Sequence, residues 1–381
     1  MERLQKECLG EGGDDLSRYL AKAAATLTPL SASFELTRRC NFRCVHCYLG
    51  DQEAIHKHRH RELDTEAILG LLDEMVEAGT LFLTLTGGDP MIRPDFIRIY
   101  EYAVRVGLLV SVYCNGSLIT EEIIASFAKY PPRVVEVTLY GATAKTFETI
   151  TQKQGSFSAC MIGIERLRRA NVRLRLKTMV MTLNSDEVSD LWRVAEEMGV
   201  QFRHDCSIIP VLPNEDNDSR TNINRKDRNK GLKENLQFRL TPEQAAAIDF
   251  GVARMGEKIK QLLAQETLLE AFSKKLYHCG AGRSSYHITP YGNMQPCIIT
   301  LHSSYDIMAE GGTVIETWKK LSEQVVKKQA EAGFTCNRCG DRAICTGCPS
   351  SFILESEKLD KAAPFYCDYA KCRRQISTSS L

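Results

Sequence analysis

Three cysteines lie close together near the start of the chain, at Cys40, Cys44 and Cys47, with the spacing C-x3-C-x2-C. Cysteine thiolates hold iron–sulfur clusters, and a [4Fe–4S] cluster normally takes four of them. Three thiolates leave one iron with an open position, where a small molecule can bind and be activated. The alternatives for so short a motif are a zinc knuckle and a group of reduced surface cysteines.

The composition is that of an ordinary globular protein. Of the 381 residues, 43% are apolar and 25% are charged, which predicts one large domain and a smaller one. The formal net charge of +1 gives no indication of binding to nucleic acid or to a membrane surface. The sequence has no apolar run typical of a membrane span and no signal-peptide core in residues 1–13, so we expect a cytoplasmic protein. Fifteen cysteines in such a chain indicate metal sites in a reducing compartment.

The elements that must position these cysteines follow an alternating pattern. Six short β-branched runs are predicted as strands: Ser33–Thr37, Leu81–Thr86, Leu108–Cys114, Val134–Tyr140, Arg173–Met181 and Phe202–Ile209. Five amphipathic segments between them are predicted as helices: Asp64–Ala78, Pro94–Val106, Thr120–Lys129, Phe157–Ala170 and Ser185–Met198. This alternation predicts an α/β fold, a partial (β/α)6 TIM-like barrel that is open on one side. Sites in such barrels lie at the C-terminal ends of the strands, and Cys40 follows the first one.

A second concentration of cysteines lies in the last third of the chain. Its members are Cys279, Cys297, Cys336, Cys339, Cys345, Cys348, Cys367 and Cys372. Four residues separate Gly292 from Cys297, and the run from Cys336 to Cys348 has the spacing C-x2-C-x5-C-x2-C. A segment with so little apolar sequence cannot bury a large core, so we expect metals to stabilise it. A zinc ribbon is the alternative for the run from Cys336 to Cys348 taken alone.

The first motif resembles the C-x3-C-x-aromatic-C signature of the radical S-adenosylmethionine (SAM) superfamily, with His46 at the aromatic position. The C-terminal pattern resembles the SPASM extension of that superfamily, which binds two auxiliary [4Fe–4S] clusters. The two resemblances together span about residues 33 to 372. They imply a barrel followed by a small cysteine-rich SPASM domain. The implied boundaries are 1–30 for an N-terminal extension, 31–212 for the barrel, 213–275 for a linker and bridging helix, and 276–381 for the SPASM domain.

The resemblance implies three [4Fe–4S] clusters. Cys40, Cys44 and Cys47 would hold the cluster whose open iron is chelated by SAM. A distal auxiliary cluster would be held by Cys336, Cys339, Cys345 and Cys367, and a proximal one by Cys279, Cys297 and Cys348. The family usually has C-x3-C where this chain has C-x2-C at Cys345 and Cys348, and residues 280 to 296 contain no cysteine. The fourth proximal position is therefore open to Cys372, to a non-cysteine group or to the substrate.

Further residues match positions at which the family binds SAM. The run Thr86-Gly-Gly-Asp-Pro90 resembles the Gly-Gly-Glu-Pro motif that meets the methionine amino group, with Asp89 in place of Glu. The full implied set is His46, Gly87, Gly88, Asp89, Pro90, Asn115, Thr138, Tyr140, Lys177 and Ile209. Within it, Thr138 and Tyr140 would meet the ribose, Lys177 the SAM carboxylate, and Ile209 the adenine. The alternatives are ordinary strand positions for the first two, a solvated lysine, and buried core.

Other residues give weaker signals. Cys206 near the mouth of the sixth strand is a candidate hydrogen-atom donor, and Asp205 or His204 a candidate base. The tract His56–His60 is expected to be a solvated loop beside the first cluster, and 214–239 a solvated linker or a lid. A capping box at Thr241 predicts a helix that continues past residue 260.

The resemblance also implies a function. Radical SAM proteins with a SPASM extension act most often on ribosomally made peptides or protein side chains, giving crosslinked, epimerised or oxidised products. We therefore expect reductive cleavage of SAM to a 5′-deoxyadenosyl radical, a peptide substrate, and a reductant such as flavodoxin or ferredoxin. Leader recognition is expected to use a separate protein, residues 214–239 or the barrel itself. The alternatives are tailoring of a small molecule such as a tetrapyrrole, and a non-catalytic iron–sulfur electron carrier, against which Gly87 and Gly88 count.

Overall fold

The computed structural model describes residues 13–212, 234–264 and 275–379. Within these ranges, nine strands form one sheet. In chain order they are β1 (Ser31–Thr37), β2 (Phe82–Gly87), β3 (Leu109–Cys114), β4 (Val134–Thr138), β5 (Leu174–Met179), β6 (Gln201–Asp205), β7 (Ser285–Ile288), β8 (Asn293–Gln295) and β9 (Tyr305–Asp306). Across the sheet the order is β6-β5-β4-β3-β2-β1-β7-β8-β9.

Strands β1 to β6 form the predicted parallel barrel sheet. Each pairs in parallel with the next strand in the chain. The prediction of a partial barrel made of six βα units is therefore confirmed, and its least accurate boundary is the end of β6, at Asp205 rather than Ile209.

Helices connect the strands and cover one face of the sheet. They are α1 (Gly13–Ala25), α2 (Gln52–Lys57), α3 (Thr65–Glu77), α4 (Phe96–Arg105), α5 (Glu121–Lys129), α6 (Ala144–Thr151), α7 (Ser156–Arg169) and α8 (Val188–Glu197). Asp64, Thr120 and Thr143 each accept a backbone N–H in the first turn of α3, α5 and α6, which fixes where those helices begin. The sequence did not predict α1, α2 and α6, of which α2 and α6 are only six and eight residues long.

Alternation along each strand separates an apolar outer face from a polar interior. Val135 and Leu176 face outward and are fully buried in the core between sheet and helices. Glu35 and Glu136 face inward and are also buried, each beside cationic side chains. The interior of the barrel is therefore a place for polar ligands rather than a packed apolar core.

The C-terminal region begins by extending the barrel sheet. Strand β7 pairs in parallel with β1, and β8 and β9 continue the sheet in antiparallel pairing. The polypeptide then forms α-helices at Val314–Lys327, Pro349–Ser356 and Pro364–Ser379. The domain boundaries implied by the resemblance stay a prediction, but the two parts share one hydrogen-bonded sheet.

The helix predicted from Thr241 is two helices. The capping box at Thr241 and Gln244 is confirmed, and the first helix runs over Pro242–Gly251. Val252 then adopts an extended conformation, and a second helix runs over Ala253–Ala264. The prediction of one continuous helix was wrong at this point, where Gly251 lowers helix propensity. None of the described helices is long and apolar enough to cross a membrane.

Candidate active site

The loop after β1 carries Cys40, Cys44 and Cys47 to the C-terminal ends of the parallel strands. Their side chains lie near one another. Burial raises the pKa of Cys44 most, and the neighbouring charges of Cys47 and Cys40 raise it further. Burial, followed by the charge of Asp89, likewise raises the pKa of Cys40 to about 12. Thiols in such surroundings become thiolates when a metal compensates their charge.

Hydrogen-bond donors point at these sulfur atoms. The Phe42 backbone N–H donates to Cys40 Sγ at 3.4 Å. The backbones of Leu49 and Gly50 lie close enough to Cys47 to lower its pKa against the larger effect of burial. Donors of this kind stabilise thiolate ligands and tune the potential of a cluster.

The spacing of the three thiols does not fit a single zinc ion. Zinc–sulfur bonds of about 2.3 Å in a tetrahedron place the sulfur atoms about 3.8 Å apart. Among the described residues, only His204, Cys206 and Asp249 form a group of three whose ligand atoms all lie within 4.8 Å of one another. The three cysteines of the loop do not form such a group.

Asp89 and Asn115 connect the ends of β2 and β3 to the cysteine loop. The Asp89 carboxylate accepts the backbone N–H of Met91 at 3.0 Å and that of Asn115 at 2.8 Å. The Asn115 side chain donates to Asn41 Oδ1 at 2.7 Å and lies 3.7 Å from Cys40 Sγ. Because Asp89 is fully buried, its pKa is raised to about 6. Both carboxylate oxygens support the loop, and the predicted contact of Asp89 to a SAM ammonium stays a prediction.

Gly87 and Gly88 allow the end of β2 to approach the backbone that leads to Cys40. The backbone N–H groups of Gly88 and Asp89 donate to the carbonyls of Thr37 and Arg39, at 2.9 and 3.0 Å. A Cβ atom at Gly87 would lie 2.0 Å from the Thr37 carbonyl oxygen, and one at Gly88 would lie 2.4 Å from that of Arg39. The glycine pair is thus required by the protein's own backbone, and Pro90 then begins a 3₁₀ turn.

His46 and Tyr140 pack beside the cysteines. Their rings meet edge to face with centroids 4.9 Å apart. Burial lowers the pKa of His46 to about 4, so its imidazole is neutral at neutral pH. The Tyr140 side chain lies close enough to Cys44 to lower the pKa of its thiol against the larger effect of burial. This contact assigns Tyr140 to the cysteine loop, and Thr138, half-buried at the end of β4, keeps the predicted ribose role as a prediction.

Lys177 lies inside the barrel in a group of charges. Its Nζ is 3.0 Å from Glu136 Oε1 and 4.0 Å from the centre of the Tyr113 ring. Although burial alone would raise the pKa of Glu136, Lys177 and Arg203 lower it to about 2. Burial also lowers the pKa of Lys177. Because Lys177 is paired with a buried carboxylate inside the barrel, the alternative of a solvated lysine is wrong. With Arg175, three cations surround one carboxylate, an excess of positive charge that suits an anionic ligand.

Asn235 is a site residue that sequence reasoning missed. It is buried and donates from Nδ2 to the carbonyls of His46 at 3.2 Å and Ile209 at 2.8 Å. It lies in a 3₁₀ turn, Glu234–Phe238, so these residues of the predicted linker are not a solvated segment. The apolar residues Leu236 and Phe238 pack against a core cluster and were the signal for this turn. The rest of that linker, 214–233, lies outside the described residues.

The C-terminal cysteines form two groups. Burial and then Cys345, Cys367 and Cys339 raise the pKa of Cys336 to about 12, which places these four sulfur atoms together. Burial and then Cys348 and Cys279 raise the pKa of Cys297 to about 12, which defines a second group of three. These are the two sets that the resemblance implied as ligands. The zinc-ribbon alternative gets no support, because neither set lies within single-ion distance among the described residues.

Cys372 belongs to neither group, and its prediction as a metal ligand was wrong. The prediction placed it at the fourth position of the proximal cluster, but it lies on the helix Pro364–Ser379, which carries Cys367 of the other group. Cys372 packs instead against a core cluster that contains Val180 and Leu240, and Glu243 lies near its thiol.

Comparison with known proteins identifies the family. Residues 34–198, which include most of β1, the cysteine loop and β2 to β5, match the Radical SAM superfamily. This part of the chain is a radical SAM domain. The superfamily brings SAM and an iron–sulfur cluster as cofactors, so the protein is a radical SAM enzyme.

Relatives extend the similarity to most of the chain. The AdoMet-dependent heme synthase of Methanosarcina barkeri is 24% identical over 359 residues, which cover 91% of this chain and 98% of that protein. The mycofactocin maturase MftC of Mycobacterium ulcerans is 25% identical over 345 residues, which cover 88% and 87%. The solved structure of Streptococcus suis SuiB bound to its precursor peptide SuiA superposes with a TM-score of 0.64 at 14% identity and covers 91% of this chain and 78% of that one. At that identity, the superposition shows a shared fold.

The candidate hydrogen-atom donor and the candidate base at the end of β6 point to different sides of this radical SAM barrel. Arg203 and Asp205 point to the interior, where Arg203 meets Glu136. Cys206, one position after Asp205, points to the opposite face of the strand. It is 1% exposed and packs outside the barrel beside Tyr369. The prediction that Cys206 donates a hydrogen atom to substrate was wrong, because its thiol is on the wrong side of the strand. Asp205 is exposed and accepts the Ser207 N–H, so its role as a base stays a prediction.

His204 is also withdrawn from chemistry by its surroundings. Its Nε2 lies 2.9 Å from Asp249 Oδ1, and Trp192 donates to its Nδ1 at 3.4 Å. Asp249 accepts further bonds from Tyr369 at 2.6 Å and Arg373 at 2.7 Å. The Arg373 guanidinium already places a positive charge beside Asp249, which disfavours a metal ion there. The compact group of His204, Cys206 and Asp249 is therefore a buried hydrogen-bond network that joins β6 to the C-terminal helix.

Proposed function

We propose that this radical SAM enzyme modifies a ribosomally made peptide or a protein side chain. The observation that carries the proposal is the loop of three gathered thiols at the open ends of the strands, with the polar interior beneath it. The shared fold with SuiB bound to a precursor peptide and the similarity to MftC support a peptide substrate. Crosslinking, epimerisation and oxidation all remain within this proposal.

Each supporting residue has a distinct task in the proposed reaction. Cys40, Cys44 and Cys47 would hold the cluster, which together with SAM supplies the 5′-deoxyadenosyl radical that takes hydrogen from the substrate. The Gln52 side chain fixes the first cysteine by accepting its backbone N–H at 2.7 Å. Asn235 holds the loop closed against the end of β6, which helps to exclude water from the site.

The interior charges would orient anionic groups. Glu136 occupies one side of Lys177 and of Arg203, and both cations remain about a quarter exposed. A carboxylate of SAM would find charge-assisted donors there. We therefore keep Lys177 as the proposed SAM-carboxylate ligand, and Gly87, Gly88, Pro90, Thr138 and Ile209 as proposed neighbours of SAM.

We also propose two auxiliary [4Fe–4S] clusters in the C-terminal region. Cys336, Cys339, Cys345 and Cys367 would hold the distal one, and Cys279, Cys297 and Cys348 the proximal one. The two spatial groups of thiols support this assignment. The fourth proximal position is left to a non-cysteine group, such as the nearby Tyr277, or to the substrate.

A second candidate function is tailoring of a tetrapyrrole. The M. barkeri heme synthase favours it, because its similarity covers almost all of that protein. The two functions differ in what supplies hydrogen to the deoxyadenosyl radical. A separate leader-recognition protein and a low-potential reductant belong to the first proposal as partners.

Iron content and label transfer test these proposals. Anaerobic reconstitution should give about twelve irons per chain for three cubane clusters, and a value near four would remove the auxiliary clusters. Replacing Cys40, Cys44 and Cys47 with Ala should abolish 5′-deoxyadenosine formation from SAM and dithionite. Deuterium should pass from a labelled candidate peptide into 5′-deoxyadenosine. Transfer from a labelled porphyrin, and from none of the peptides, would replace the peptide proposal with the tetrapyrrole one.

A further inference from the structure

One loop of the C-terminal region, residues 336–348, carries three of the four proposed ligands of the distal cluster. They are Cys336, Cys339 and Cys345. The regular structure of this described segment consists of two 3₁₀ turns, Thr335–Arg338 and Arg342–Ile344. No strand ladder or longer helix within residues 336–348 sets its position. This segment, the distal loop, therefore depends on bonds from side chains outside it.

Arg373 holds the distal loop at the residue before Cys345. Its Nη1 donates to the Ile344 carbonyl at 2.6 Å. Ile344 is 1% exposed and packs in a core cluster with Ile259 and Ala370. A buried carbonyl is costly without a donor, so the bond from Arg373 fixes the backbone that leads directly into Cys345.

Asp249 in turn fixes the Arg373 guanidinium. Its Oδ2 accepts from Arg373 Nε at 2.7 Å, and Tyr369 Oη accepts from Nη2 at 2.8 Å. The other carboxylate oxygen of Asp249 lies 2.9 Å from His204 Nε2 on β6. Because the planar guanidinium spans a carboxylate and a carbonyl, its orientation passes from the barrel strand to the distal loop.

The helix that carries Arg373 also carries the fourth proposed ligand. This helix, Pro364–Ser379, contains Cys367 near its start. Cys345 Sγ lies 3.8 Å from the carbonyl oxygen of Tyr366, the residue before Cys367. Arg373 thus joins the loop to the helix where two proposed ligands meet.

We propose that Asp249 and Arg373 are positioning residues for the distal auxiliary cluster, since they hold Cys345 on the distal loop at a fixed place relative to Cys367 on the helix. The inference rests on the distal cluster of the proposed function. Neither residue would be a ligand, and both act through the Ile344 carbonyl. Groups that orient metal ligands in this way typically change metal affinity by about 10- to 100-fold when they are replaced.

The test uses the full-length chain with Cys40, Cys44 and Cys47 all replaced by Ala. This parent should hold only the auxiliary clusters, with about eight irons per chain after anaerobic reconstitution. The first test variant adds Arg373→Lys, which keeps the positive charge beside Asp249 but cannot span the carboxylate and the carbonyl. The second adds Asp249→Asn with Arg373→Gln, which removes both charges and leaves no unpaired buried charge to prevent folding.

Arg93→Lys is the matched control. Arg93 is 7% exposed and, like Arg373, spans a carboxylate and a backbone carbonyl. It lies 2.6 Å from Asp95 Oδ2 and donates to the Leu63 carbonyl at 3.0 Å. Both of these partners belong to the barrel, so the control makes the same chemical change without touching the distal loop.

Release of iron to the chelator ferrozine under anaerobic conditions is the measurement. We expect about four of the eight irons to leave at least about 10-fold faster in both test variants, while the other four keep the rate of the parent. The control should release all of its iron at the rate of the parent. Unchanged release in both test variants, equal acceleration in the control, or acceleration of all eight irons would overturn the positioning role. A parent that takes up only about four irons would instead contradict the proposed pair of auxiliary clusters.

Discussion

Gly88 offers the sharpest test of how the barrel supports the cysteine loop. In a Gly88→Ala variant, the added Cβ would lie 2.4 Å from the Arg39 carbonyl oxygen and 2.5 Å from that of Arg38. Both contacts are to backbone, so no flexible side chain can move aside. The residues that must shift are the two that immediately precede Cys40.

The expected magnitude follows from two terms. Overpacking a tight site typically costs about 1–3 kcal/mol. Displacing the loop also weakens the bond from the Asp89 N–H to the Arg39 carbonyl, which contributes about 1 kcal/mol. We expect Gly88→Ala to lower the free energy of unfolding of the apoprotein by about 2–4 kcal/mol. We also expect the reconstituted variant to lose the N-terminal cluster, so that iron falls from about twelve to about eight per chain.

Gly70→Ala is the matched control for this experiment. Gly70 lies in α3, and a Cβ there would meet nothing within 4 Å. Alanine is the better helix former, so this variant should be at least as stable as the wild type, by up to about 1 kcal/mol. Anaerobic urea unfolding and an iron assay provide both measurements. A Gly88→Ala protein with wild-type stability and a full complement of iron would refute the claim that the glycine pair exists for backbone contact.

Three other changes test separate parts of the site. Cys367→Ser should lose about four irons and the signal of one auxiliary cluster, whereas Cys372→Ser should keep the wild-type iron content. Equal iron losses in the two variants would show that Cys372 is a cluster ligand. Asn235→Ala should weaken SAM binding by about 10-fold in anaerobic calorimetry, because two buried carbonyls lose their donor, and unchanged affinity would separate the turn from the SAM site. Glu136→Gln should destabilise the apoprotein by about 3–5 kcal/mol at pH 7, since three cations lose their counter-charge. Because the pKa of Glu136 is lowered to about 2 in the folded protein, the wild-type advantage should be complete above pH 4.5 and shrink as pH falls toward 2, and an advantage independent of pH would contradict the buried charge group.

The parallel strands and the N-terminal cysteine loop could be predicted because their signals are local. Each βα unit lies within a few tens of residues, and Cys40 to Cys47 lie within a single loop. The two C-terminal ligand sets extend over longer stretches and were implied by the family resemblance. The pairing of β7 with β1 could not be predicted this way. It joins residues about 250 positions apart through strands as short as four residues.

The errors at individual residues have physical reasons. Cys206 was judged by its position near the mouth of β6, yet strand parity puts it on the outer face, opposite Arg203. Cys372 was offered because the proximal set lacks a fourth cysteine, yet it packs against a core cluster that contains Val180 and Leu240. The error at Cys206 could have been avoided by applying the two-residue side-chain period of a strand. Asn235 is different, because its two carbonyl partners come from loops far away in sequence.

The shared sheet constrains how the two halves of the protein work together. Ser33 on β1 bonds to His287 on β7 at 2.9 Å, and Glu35 on β1 lies 3.6 Å from the same imidazole. Four residues after Glu35, the backbone of Arg39 receives the Asp89 N–H, and Cys40 follows. On the other side, β7 begins six residues after Cys279 and continues toward Cys297. One pair of adjacent strands therefore leads to a ligand of the proposed SAM cluster and to two ligands of the proposed proximal cluster. Because hydrogen-bonded parallel strands do not slide without breaking their ladder, the separation of the two clusters would be set by the fold and not by a hinge between domains.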